Sequence, residues 1–251
     1  KNEGALSSLA EIYRAQGKPE AAIEGYRTVL KLEPRQPQMW YQLATLYLDL
    51  GREAEARRTF ETALEHNPGM GAAYNSLAAL AFERGDLAEA ERLVRKGLER
   101  EDGLRSSRFN LGRILEARGD VADAERLYRE ELQQFADNGR ARFNLAQLAR
   151  QRGDQGAFLD ELRASTEKAP EFGPAFFFLA REELRAGRLD AAAELARKGL
   201  AVDKGSRVAP LGHYVLADVY NRQGRPKEAA EEVTKARRIA SGRRPAPETG
   251  D

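Results

Sequence analysis

Apolar residues along the chain return three and four positions apart in short runs, the spacing of helices that bury one face. The pattern also repeats at longer range. The stretch RFNLGRILEARGD (residues 108–120) comes back as RFNLAQLARQRGD (residues 142–154), 34 residues on. Gly17, Gly51, Gly85, Gly119, Gly153 and Gly187 keep the same step, and Gly224 follows after 37 residues. Eight before each glycine stands Leu9, Leu43, Leu77, Leu111, Leu145, Leu179 or Leu216, followed at once by a small residue. Five after each comes Ala22, Ala56, Ala90, Ala124, Phe158, Ala192 or Ala229.

These columns predict an all-α chain of helix pairs. The glycine supplies the positive φ of a helix C-terminus, and the small residues let the paired helices approach closely. Pro34, Pro68 and Pro170 are placed to end second helices, because a missing N–H breaks the ladder. One pair cannot bury its apolar face alone, so the units must stack.

Residues 39–68, MWYQLATLYLDLGREAEARRTFETALEHNP, resemble a tetratricopeptide repeat (TPR), with Trp40, Leu43, Ala44, Tyr47, Gly51, Ala56, Phe60, Ala63 and Pro68 in the family's places. The resemblance covers seven repeats, near 3–36, 37–70, 71–104, 105–138, 139–172, 173–206 and 210–241. It implies an α-solenoid, a right-handed superhelix of tandem helix-turn-helix repeats, with first helices lining a concave groove. The expected organisation is one array over 1–241 and a disordered, Pro-rich tail over 242–251.

Two repeats depart from the pattern. Phe158 replaces the small Ala of its column, while Ala149 stands where Tyr13, Tyr47 and Tyr220 stand elsewhere. A large-for-small exchange across one helix pair conserves core volume. Glu183 occupies that same Tyr column beside Leu184, and a locally rotated helix accounts for it. At the end of the array Arg237 takes the place of Leu30, Leu64, Leu98, Leu132 and Leu200, as a solvent-facing terminal repeat requires.

Composition narrows the function. The 251 residues carry 41 basic and 40 acidic side chains, so bulk charge calls for neither nucleic acid nor lipid. No apolar run is long enough to span a membrane. Without Cys there is no disulfide or thiolate chemistry, and the compartment, cytoplasmic or periplasmic, stays open. His66 and His213 are the only histidines and lack metal-ligand company at helical spacing, so no metal or cofactor is expected. There is no phosphate loop and no acid/base constellation, which points away from an enzyme. Residue 1 is Lys rather than Met, so a processed chain or a piece of something longer is expected.

Charge along the chain is less even than its total. The fourth first helix, expected at 105–118, carries Arg105, Arg108, Arg113 and Arg118 against Glu116. The fifth, expected at 139–152, carries Arg140, Arg142, Arg150 and Arg152 with no acid. In the sixth, Glu182 and Glu183 are expected to cancel Arg181 and Arg185. Asn110 and Arg113 share a stripe that Arg140, Asn144 and Gln147 repeat, and an Asn offers both donor and acceptor to an extended peptide backbone. In that column the chain resembles the asparagine ladder of O-GlcNAc transferase and the groove Asn of co-chaperone TPR domains. The latter's carboxylate clamp is incomplete here, because Asn75 and Phe109 occupy the column of its first-helix Lys. Tyr41, Phe109, Phe143, Phe177 and Tyr214 form an aromatic column that serves either as apolar ligand contacts or as packing.

The expected function is a non-catalytic scaffold that binds an acidic or extended protein segment as a monomer or weak dimer. Its site is expected at Asn110, Arg113, Arg140, Asn144 and Gln147, flanked by Phe109 and Phe143. Two alternatives stand beside it: the interaction region of a larger bacterial hydrolase or glycosyltransferase, and an RNA-binding repeat protein in which bases stack on the aromatic column.

Overall fold

The hydrophobic period places the helices, and the computed structural model, which describes residues 11–241, has them where it does. The described part of α1 covers residues 11–15. It is followed by α2 (Pro19–Leu32), α3 (Pro37–Asp49), α4 (Glu53–His66), α5 (Gly71–Glu83), α6 (Leu87–Arg100), α7 (Ser107–Arg118) and α8 (Val121–Gln134). Then come α9 (Gly139–Gln151), α10 (Gln155–Lys168), α11 (Gly173–Arg185), α12 (Leu189–Val202), α13 (Ala209–Arg222) and α14 (Pro226–Ala240). Among the described residues there is no strand, and no helix is long and apolar enough to cross a membrane. The expected tail and the start of the first repeat lie outside the described residues.

α3 packs on α4, α5 on α6, α9 on α10, α11 on α12 and α13 on α14, and within each compact unit successive pairs meet through contacts such as α4 with α5 and α12 with α13. The chain divides into two compact units, Lys1–Leu127 and Tyr128–Asp251, with the division inside α8. The core is built from the repeated columns. Leu43, Leu77, Leu111, Leu145, Leu179 and Leu216 are at most 6% exposed, and Ala56, Ala90, Ala124 and Ala192 are fully covered. Each such leucine contributes about 1.5–3 kcal/mol by leaving water. Phe158 and Ala149 lie in one buried cluster with Leu162 and Leu179, so the large-for-small exchange fills a single space. Arg237 is exposed on α14, as the terminal position requires.

The turns obey a rule that the columns alone do not state. All seven glycines have φ between 69° and 93°. At every one, the N–H of the next residue donates to the carbonyl four residues before the glycine, at 2.8–3.0 Å. This closing bond sets those two side chains against each other. A basic residue after the glycine lies over a tyrosine ring: Lys18 over Tyr13, Arg52 over Tyr47 and Arg225 over Tyr220, at 4.5–5.9 Å. Where the next residue is Asp, the earlier one is apolar, and at two of these three turns the Asp turns forward instead. Asp86 accepts from the Glu89 N–H and Asp154 from the Ala157 N–H, capping α6 and α10.

Glu183 fits this rule rather than breaking it. It stands in the tyrosine place beneath a basic residue, and it takes the charge of Arg188 as an ion pair instead of through a ring face. That hydrogen bond holds the Glu183 carboxyl below the usual carboxylate range. Leu184 beside it fills the core with Val215, Leu216 and Val219.

Candidate functional site

The charge-biased first helices are α7, in the first compact unit, and α9, in the second. On α7, Asn110 donates from Nδ2 to Asn75 Oδ1 on α5 at 2.8 Å. Arg113 lies 4.3 Å from the centre of the Phe82 ring and 3.5 Å from Glu83. Phe109 is only 4% exposed, so its ring packs inside the array and offers little surface to a ligand. The backbone just before α7 is strained: Ser106 has φ 67°, a left-handed value that costs a non-glycine residue energy.

On α9, Asn144 donates from Nδ2 to the Tyr128 hydroxyl at 3.0 Å, so its amide hydrogen is turned toward α8. Phe143 is half-buried and meets Phe172 and Phe178 edge to face, with centroids 5.8 and 5.0 Å apart. Gln147 has a buried Nε2 with no hydrogen-bond partner. Arg140 is exposed at the start of the helix. The structure thus groups Asn110, Arg113 and Phe109 in one unit and Arg140, Phe143, Asn144 and Gln147 in the other.

Acids from outside the two helices temper the arginine bias. Asp102 takes Arg108 at 2.5 Å, Glu91 takes Arg118, Glu83 takes Arg113 and Glu161 takes Arg142 at 3.5 Å. Among the described residues no carboxylate or acceptor is set against Arg140 or Arg150. The cancellation expected on the sixth first helix is incomplete. With Glu183 engaged by Arg188, Glu182 is left to both Arg181, at 3.3 Å, and Arg185, at 2.9 Å. Burial, with Arg185 and Arg150 adding to it, pulls the Arg181 pKa down against the pull of Glu182.

The aromatic column divides. Phe177 is fully buried, Tyr214 is 43% exposed, and Tyr41 packs on Phe60 with centroids 5.4 Å apart. The sequence pattern set Arg181 aside as cancelled by its neighbouring acids, and it passed over Phe178, which lies one position outside the aromatic column. It also missed a hollow of about 630 Å³ among α4, α5 and α6. Leu64, Leu77 and Leu93 contribute to its wall, and the pairs Arg57–Glu61 and Arg92–Glu89 line it. Those charges already satisfy one another.

Comparison with known proteins settles the family. A model described as tetratricopeptide repeat matches residues 41–103, 109–171 and 179–244, and one described as TPR repeat matches 10–51. The chain belongs to the tetratricopeptide-repeat family. No curated protein matches its sequence. Among solved structures, a crystal structure of MamA is similar at TM-score 0.55 and 18% identity, over 64% of this chain and 94% of that one. A chain of the APC/C hetero-tetramer Cut9-Hcn1 is similar at TM-score 0.69 and 18% identity, over 94% of this chain and 45% of that one. At these identities the likeness is one of fold: an α-solenoid of TPR type. Membership of the family supports a protein-interaction scaffold.

Proposed function

We propose that this TPR protein is a non-catalytic scaffold whose first helices receive an acidic, extended segment of a partner protein. The observation that carries the reading is the pair of arginines on α9, Arg140 and Arg150, with no acid set against them among the described residues. On the same two helices Arg108 is met by Asp102, Arg113 by Glu83, Arg118 by Glu91 and Arg142 by Glu161, so Arg140 and Arg150 stand apart from them. Asn110 and Asn75 add paired carboxamides on their own face, each keeping a donor or an acceptor for a peptide backbone.

The test is titration of an acidic peptide into ¹⁵N-labelled protein at low and high salt. Amide signals of α7 and α9 shift, and the effect weakens at high salt, because exposed charges are screened within about 10 Å at 0.1 M ionic strength. Shifts confined to second helices, or no shift at all, would refute the proposal.

A further inference from the structure

We propose that Arg150 and Arg181, which share the Phe178 ring, form with Gln147 of α9 a carboxylate site that takes a glutamate side chain of the bound segment. The inference rests on the scaffold reading above and names the chemistry of its contact on α9 and α11. It uses residues of the second unit alone.

Two guanidinium groups share one ring. The Phe178 centroid lies 4.8 Å from Arg181 and 5.9 Å from Arg150. A ring face orients a guanidinium without neutralising it, and leaves its N–H groups free to grip an anion in the plane of the fork. Three guanidinium groups, those of Arg150, Arg181 and Arg185, have one carboxylate between them, because Glu183 is held by Arg188. Glu182 is drawn further toward its own side by Gln155, whose Nε2 is 3.5 Å away. Like charges held this close destabilise the empty site, and an incoming anion relieves them.

The second observation is independent of charge. Gln147 stands one turn from Arg150 on α9, and its buried Nε2 has no acceptor. A buried amide N–H without a partner is unfavourable, and a ligand oxygen that reaches it restores the missing hydrogen bond. Asn144, the neighbouring amide, does not fill this role, because it already donates to Tyr128. The site therefore holds an unsatisfied neutral donor as well as unsatisfied positive charge.

Beside the donors, the half-buried rings of Phe143 and Phe178 meet edge to face and give an apolar seat. A free inorganic anion has no use for that seat. The methylene stem of a glutamate does, and its carboxylate then reaches both a guanidinium and an amide. This favours a glutamate carried by a protein chain over a free ion.

The experiment measures anisotropy of a labelled ten-residue polyglutamate peptide on the full chain, with polyglutamine as control and inorganic phosphate as competitor. Arg150→Gln and Arg181→Gln each weaken polyglutamate binding by about tenfold or more, the loss of one charge-assisted hydrogen bond. Lys198→Gln, on α12 and paired with Glu194, leaves it unchanged. The side-chain amide resonances of Gln147 move when the peptide is added. Circular dichroism melts accompany each variant, and should Arg181→Gln melt early, the exposed Arg150 carries the test.

Binding that survives both arginine substitutions within twofold overturns this site and leaves the scaffold reading standing. No binding of polyglutamate by the unsubstituted protein overturns both. Phosphate that moves the Gln147 resonances while the peptide does not overturns the glutamate assignment.

Discussion

Replacing Gly199 by Ala tests how tightly the second unit is built. A Cβ there would stand 2.5 Å from Phe177 Cε1, 2.8 Å from its Cδ1 and 3.0 Å from Phe176 Cβ. Carbon contacts rest near 3.5–4.0 Å, so something must retreat by about 1 Å. The Phe177 ring has nowhere to go. It is fully buried, and a Cβ on Gly212 would also stand 2.7 Å from it. Overpacking of this kind costs about 1–3 kcal/mol, whereas removing a helical glycine returns about 0.5–1 kcal/mol. Gly199→Ala should therefore lose on the order of 1–2 kcal/mol, read from native-state hydrogen exchange of α11 and α12 amides. In a Phe177→Leu background the contact with Cε1 is removed and the shorter side chain can turn aside, which leaves Phe176 Cβ at 3.0 Å as the main close neighbour. There the same substitution becomes neutral or stabilising by up to about 1 kcal/mol, a coupling of at least about 1 kcal/mol across the cycle. A gain in stability from Gly199→Ala alone, or an equal cost in both backgrounds, would refute the account.

Other outcomes follow from the same geometry. Leu145→Ala, in a leucine column 4% exposed, should cost about 2–5 kcal/mol in urea unfolding, and a loss under 1 kcal/mol would contradict the assigned core. Arg113→Ala/Arg140→Ala should shift stability by no more than about 1 kcal/mol, the worth of one cation–π contact, while weakening an acidic peptide in a pull-down; an early melt makes these arginines structural. Glu183→Tyr should leave the thermal midpoint within a few degrees, since Arg188 then lies over a ring as Arg52 does over Tyr47, whereas Glu183→Lys sets like charges together and lowers it; equal damage from both disproves the turn rule. Glu232 is 8% exposed, and burial pushes its carboxyl up, but hydrogen bonds from His213 and Lys235, each at 2.6 Å, outweigh this and hold it below the ordinary value. A folded value below the unfolded one means its stability contribution is present above about pH 4.3 and fades as pH falls through the lowered value. The gap in urea midpoint between the unsubstituted protein and Glu232→Gln should then close under acid, and a gap that ignores pH would exclude the pairing.

The architecture was legible because it rests on columns. Leu145 and Gly153 are constrained by packing and by a backbone angle, and both constraints recur in every unit. The candidate site was only partly legible. That Asp102 takes Arg108, or that Glu83 lies beside Arg113, depends on how neighbouring units stack, which no single column shows. Phe109 and Tyr214 share a column, yet one is buried and the other 43% exposed, because each meets a different neighbour. The pairing of Glu183 with Arg188 was within reach, since basic residues follow the glycine where tyrosine precedes it and Asp follows where Ala or Leu does. The unmet Nε2 of Gln147 left no trace in the sequence, because a lack of partners exists only in three dimensions.

The turn rule has a consequence for how such repeats can be exchanged. Each turn comes in one of two matched sets: a ring or carboxylate with a basic residue, or an apolar residue with an Asp. The two members lie on opposite sides of the glycine, five residues apart in each unit. A recombination that joins units within the turn separates them, setting an Arg over Ala81 or an Asp beside Tyr47. A junction between the second helix of one unit and the first helix of the next keeps every set whole. The smallest piece of this chain that can be transplanted is therefore the helix pair with its turn, and a single helix moved alone carries half of a contact.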